Sequence, residues 1–151
     1  MSSKRRKMKP EKFLYVFTDG GARGNPGPAA IGFVIKDNYG KVLIEKGKFI
    51  GEATNNVAEY KAVIEALRWI ETNIKYQTFT VIFFLDSKLV VSQLKGLFRV
   101  KNKNLKNLTI EVKNLEKKIG QKIFYNHIPR EKNKKADSLV NIAIDKEINI
   151  G

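Results

Sequence analysis

Lys12–Asp19 reads KFLYVFTD and Gly20–Ala30 reads GGARGNPGPAA: an apolar, aromatic run ending on an acid, then four glycines and two prolines. The run suits a buried β-strand. The glycines and prolines forbid helix and demand tight turns. IGFVIKD and KVLIEKGKFI follow, divided by Asn38, Tyr39 and Gly40, the chemistry of a hairpin turn. Further on, TFTVIFFLD is a second apolar strand closed by an acid, Asp86.

Thr54, Asn55 and Asn56 offer capping side chains to a helix running to about Ile74. Val57, Tyr60, Ile64, Leu67 and Ile74 recur in it at helical spacing. Ser87 can cap a short helix, SKLVVSQLK, that ends at Gly96. Leu105, Leu108, Val112, Leu115 and Ile119 mark a helix from about Asn102 to Ile119. QKIFYNHIP reads as a last strand and KADSLVNIAIDKEI as a closing helix. The order β-β-β-α-β-α-α-β-α implies an α/β fold, a five-stranded mixed sheet flanked by helices. Residues 1–11 read as a disordered basic tail and 12–151 as one domain.

The 151 residues carry a formal net charge of +14. Lys4, Arg5, Arg6, Lys7 and Lys9 supply five of those charges, which leaves +9 on the rest of the chain. Such a balance favours a polyanionic partner, nucleic acid rather than membrane. No apolar run reaches the roughly 18 residues of a bilayer span. The basic N-terminus lacks the apolar segment of a secretory leader, so the expected location is the cytoplasm. With no cysteine and one histidine, any bound metal must be held by oxygen, which favours Mg²⁺ or Mn²⁺.

Three acids stand where apolar residues are expected. Asp19 and Asp86 close two apolar strands; if those strands are parallel neighbours, both carboxylates emerge at one carboxyl-end edge. Glu59 shares a helical face with Val63, Ala66 and Ile70, so it should point at the sheet. A carboxylate aimed at a core needs a partner or a metal. Taken singly, Asp19, Asp86 and Asp137 could each be a turn or capping residue. The glycine-rich loop is not a dinucleotide site: its glycines, at 20, 21, 24 and 27, miss the G-x-G-x-x-G spacing.

FTDGGARGNPGPAAIGFVI, TNNVAEYKAVIEAL, LDSKLVVSQL and REKNKKADSLVNIA resemble, in order and spacing, the four motif blocks of type 1 ribonuclease H over roughly residues 12–145. The resemblance implies a ribonuclease H-like fold and hydrolysis of the RNA strand of RNA/DNA hybrids. The family's catalytic acids map onto Asp19, Glu59, Asp86 and Asp137. These would hold two divalent ions roughly 3.5–4 Å apart, with Asp19 bridging, to leave 5′-phosphate and 3′-hydroxyl ends. It further implies that the backbone at Gly20, Gly21 and Asn25 lies along the RNA strand. Asn55 and Asn56 would reach the minor groove, and Ser87 and Lys88 the backbone. Nine basic residues against two acids between Lys95 and Lys122 make a duplex-gripping surface or a solvated helix face. The expected protein is a monomer.

The pattern breaks near the end. Many family members carry a loop histidine after the last strand. His127, the only histidine, lies ten positions before Asp137, about the family's spacing. Strand alternation instead groups His127 with Ile123 and Tyr125 as a partly buried strand residue, which leaves Arg130 or Glu131 at the loop position. Two other readings remain: a non-catalytic duplex-binding module, and a nuclease that also cuts double-stranded RNA.

Overall fold

The computed structural model describes residues 11–150, the last by its backbone alone. The basic tail expected at residues 1–11 lies outside the described residues except for Glu11. The elements are β1 (Phe13–Ala22), β2 (Gly27–Asp37), β3 (Val42–Ala53), α1 (Asn55–Asn73), β4 (Thr80–Leu85), α2 (Lys88–Leu94), α3 (Lys103–Ile119), β5 (Lys122–His127), a 3₁₀ turn (Arg130–Lys132) and α4 (Lys134–Ile150). They form one sheet in the order β3-β2-β1-β4-β5. The two early hairpins make β1–β2 and β2–β3 antiparallel. Helical crossovers connect into β4 and β5, and β1–β4 and β4–β5 are parallel, an arrangement that needs long connections.

Local chemistry sets the boundaries. The side chain of Thr54 accepts from the Val57 amide at 3.2 Å, that of Ser87 from Val90 at 3.3 Å and that of Asn102 from Leu105 at 3.1 Å, each satisfying an amide that a helix start leaves free. Gly120 ends α3 in the left-handed conformation at φ 67°. In the β2–β3 turn, Asp37 Oδ1 accepts from the amides of Tyr39 and Lys41.

The main core lies between the sheet and α1, with α3 packed on α1 through Leu105, Val112 and Leu115. A smaller cluster, Ala30, Val140 and Ile144, lies on the opposite face beneath α4. There Gly32 and Gly47 let the helix backbone approach: a Cβ would meet the Ala136 carbonyl oxygen at 2.5 Å and that of Leu139 at 2.6 Å. The expectation that KFLYVFTD and TFTVIFFLD are buried strands holds for one face only. Leu14, Val16, Val81, Phe83 and Leu85 are fully buried, whereas Phe13, Tyr15, Phe17, Ile82 and Phe84 are half-buried. α4 packs chiefly on β2 and β3 and less on β1. Among the described residues, no helix is long and apolar enough to cross a membrane.

Candidate active site

β1 and β4 run parallel up to the pair Phe17 and Phe84 and then separate. Asp19 and Asp86 each lie two residues past that pair, so the split in the sheet carries both carboxylates. α1 brings the third. At Gly20 an added Cβ would lie 2.2 Å from the Ala58 carbonyl carbon, so only glycine lets strand and helix backbones touch here. That contact seats Glu59 beside Asp19, and the Gly20 amide donates to Glu59 Oε1 at 3.2 Å. One oxygen each from Asp19, Glu59 and Asp86 fall within 4.8 Å of one another. Asp137, in the first turn of α4, stands against Asp19 in the same cleft.

The electrostatics of the cluster follow from its burial. Asp19 and Glu59 are each 7% exposed. Burial, reinforced by the charges of Asp86 and Asp137, pushes the Asp19 carboxyl up to about 7, although its contact with Glu59 works the other way. Burial, then the charge of Asp19, lifts Glu59 well above the ordinary carboxylate range. Without a cation the pair therefore retains protons that isolated carboxyls would shed. Glu59 Oε2 is buried with no hydrogen-bond partner among the described residues. Clustered acids, an orphaned carboxylate oxygen and an all-oxygen donor set fit a hard divalent cation such as Mg²⁺ or Mn²⁺.

The other expected residues divide. Gly20, Gly21, Asn55, Asn56, Ser87 and Arg130 line the cleft with the four acids. Asn55 Oδ1 accepts from the Ala22 amide at 2.8 Å, and Asn25 Oδ1 from the Asn55 amide at 3.0 Å. Asn25 thus ties the β1–β2 turn to the start of α1 and does not line the cleft. Lys88 and Glu131 are exposed outside it. His127 is the last residue of β5, in register with Leu85, as the strand reading expected. Its side chain is exposed rather than partly buried, because β5 is an edge strand and His127 its terminal residue.

Two contributors escaped the sequence reading. Asn133 is 1% exposed, and its amide nitrogen donates to the Thr18 carbonyl at 2.8 Å and to Asp86 Oδ2 at 3.2 Å. It links β1, the end of β4 and the start of α4; an asparagine directly before KKADSLV was the available signal. Arg23 lines the cleft and is paired with Asp145 and Asn141 of α4, more than a hundred residues away, which no local pattern announces.

A five-stranded sheet in this order, with acids at its central split, defines the ribonuclease H class of fold. The family model described as reverse transcriptase-like matches residues 17–143. LC11-RNase H1, isolated from compost by a metagenomic approach, superposes with TM-score 0.83 at 44% identity, covering 93% of this chain and 99% of that one. The same protein has been solved in complex with an RNA/DNA hybrid. Ribonuclease HI of Halobacterium salinarum is 36% identical over 87% of this chain and 64% of its own length. A bifunctional protein of Mycobacterium tuberculosis is 41% identical over 87% of this chain, which spans only 35% of that relative. The chain belongs to the ribonuclease H family, in its type 1 branch.

Proposed function

We propose that the chain hydrolyses the RNA strand of RNA/DNA hybrids in a reaction dependent on two divalent cations, leaving 5′-phosphate and 3′-hydroxyl ends. The observation that carries this reading is the trio Asp19, Glu59 and Asp86, with oxygens within 4.8 Å and Glu59 Oε2 lacking a partner among the described residues. The hybrid complex of a relative at 44% identity supports the substrate class. Asp19, Glu59, Asp86 and Asp137 would hold the cations. When bound, these supply Lewis acidity and a water deprotonated near neutral pH. Asn133 donates to one oxygen of Asp86 and so helps to hold that carboxylate in place. The main chain at Gly20 and Gly21 lines the cleft within reach of the substrate strand, and Asn56 and Ser87 offer hydrogen bonds at the cleft wall. Arg130 supplies a guanidinium fork for a phosphate oxygen.

The test offers RNA/DNA, RNA/RNA and DNA/DNA duplexes with Mg²⁺, Mn²⁺ or EDTA. The expected result is metal-dependent cleavage of the hybrid's RNA strand, abolished by Asp19→Asn or Asp86→Asn with hybrid binding retained. Robust cleavage in EDTA, or by either variant, refutes the metal reading. Hybrid binding without cleavage under every condition makes the chain a duplex-binding module instead.

A further inference from the structure

The half-buried side chains of β1 and β4 form an organised surface. Strand registers align Phe124, Ile82, Tyr15 and Lys36 in one row across β5, β4, β1 and β2. Phe84 and Phe17 stand side by side in the next row, and Phe13 precedes Tyr15 on the same face. None of the six apolar side chains belongs to the main core or to the cluster beneath α4, and Phe124 is 53% exposed. The rings are nearly parallel: Phe17 and Phe84 lie 4.9 Å apart at 22°, Tyr15 and Phe84 6.3 Å apart at 24°. Monomeric proteins rarely leave a contiguous aromatic surface open without a use for it.

The charge around this surface is positive. Lys36 lies over the Phe17 ring at 5.7 Å, and Lys122 shares the face of Phe124 two residues earlier on β5. Lys132 and Lys135 line the groove between Phe17 and α4, where the one lining acid, Glu45, is paired with Lys135. The edges of the mutually stacked rings and the exposed Phe124 side chain, bordered by lysines, match a polyanion whose bases are unstacked. A duplex hides its bases, and a second copy of this chain would set the same lysines against one another across the patch.

We propose that this sheet face binds single-stranded nucleic acid, with bases against Phe124 and the ring edges of the aromatic rows and phosphates against Lys36, Lys122 and Lys132. Asp19 and Asp86 continue the same face two residues beyond Phe17 and Phe84, so the surface adjoins the acid cleft. A single-stranded overhang leaving the cleft can run directly onto it. The site stands whether or not the cleft cleaves hybrids.

Binding of a fluorescein-labelled 15-nucleotide oligothymidine, followed by anisotropy in EDTA, tests the proposal. The wild-type chain should bind it even when a blunt unlabelled RNA/DNA hybrid saturates the acid cleft. Phe124→Ala should weaken binding about fivefold or more. Lys36→Glu should weaken it and flatten its salt dependence. Both variants should melt like wild type and cleave a blunt hybrid at the wild-type rate. Unchanged affinity in both variants overturns the proposal, as does complete displacement by the blunt hybrid. Self-association of the wild-type chain that Phe124→Ala abolishes would assign the face to a second copy and overturn it too.

Discussion

Replacing Asp19 with asparagine should make the cation-free protein more stable, by an amount that grows with pH. In the unfolded chain an aspartate titrates near ~3.9. In the fold, burial holds Asp19 at about 7. Between those values the folded state keeps a proton that the unfolded state has released, so wild-type stability falls as pH rises and levels off above about 7. Three units at ~1.4 kcal/mol each set a ceiling of about 4 kcal/mol. Coupling to Glu59 and residual contact with water bring the expected difference nearer ~2 kcal/mol. The substituted amide does not titrate and escapes this loss. Urea unfolding in EDTA should therefore show Asp19→Asn close to wild type at pH 4.5 and about 2 kcal/mol more stable at pH 8. That gain corresponds to a melting temperature higher by roughly 4–8 °C. Millimolar Mn²⁺ at pH 8 should then stabilise wild type and leave the variant almost unmoved, because only a native acid cluster binds the ion. A variant no more stable than wild type at pH 8 in EDTA, or a difference that is the same at both pH values, refutes this account.

Arg130→Ala is expected to slow hybrid cleavage roughly ten- to a hundredfold, a few kcal/mol of lost transition-state stabilisation, while the exposed His127→Ala leaves turnover and melting close to wild type. A pH–rate profile should show no limb that vanishes in His127→Ala; a lost limb near neutrality with sharply reduced turnover would put the proton relay there instead. Asn133→Ala strips the Thr18 carbonyl and Asp86 of a buried donor and should cost ~1–3 kcal/mol by urea unfolding, together with a higher Mn²⁺ requirement for cleavage. An unchanged metal requirement would restrict Asn133 to a structural part. Removing residues 1–10 deletes five cations and should flatten the slope of log affinity against log salt for hybrid, with saturated turnover retained. An unchanged slope would mean those cations do not contact nucleic acid.

The element order and the acid pair at the sheet's split were legible in the sequence because turn and capping residues bound nearly every element. Asn38 to Gly40, Thr54 and Ser87 each carry a local signal, and each marks a boundary in the fold. Glu59 was legible because a charge on an apolar helical stripe conflicts with its surroundings. The one-sided burial of β1 and β4 was not. Both alternating positions of KFLYVFTD are apolar or aromatic, so the period of two that separates inside from outside leaves no trace. The exposure of His127 was hidden for another reason. Alternation gives the side of a strand a residue faces, not whether anything covers it, and among the described residues β5 has a neighbour on one edge only. Asn133 joins groups 115 and 47 residues away, contacts that only the folded chain brings together.

Gly32 and Gly47 act as shims of zero thickness between the sheet and α4. The helix they seat carries Asp137, so the reach of the fourth carboxylate is gauged by two missing methyl groups on strands that hold none of the acids. Restoring one methyl at Gly47, where the Leu139 carbonyl oxygen waits at 2.6 Å, would lift the helix at a point barely half a turn beyond Asp137. A cation that demands near-ideal octahedral coordination at short range, as Mg²⁺ does, would feel that lift before a more tolerant ion did. Were the four acids to hold a divalent cation as proposed, metal preference would be open to tuning from the far side of the sheet, without any change to a ligand.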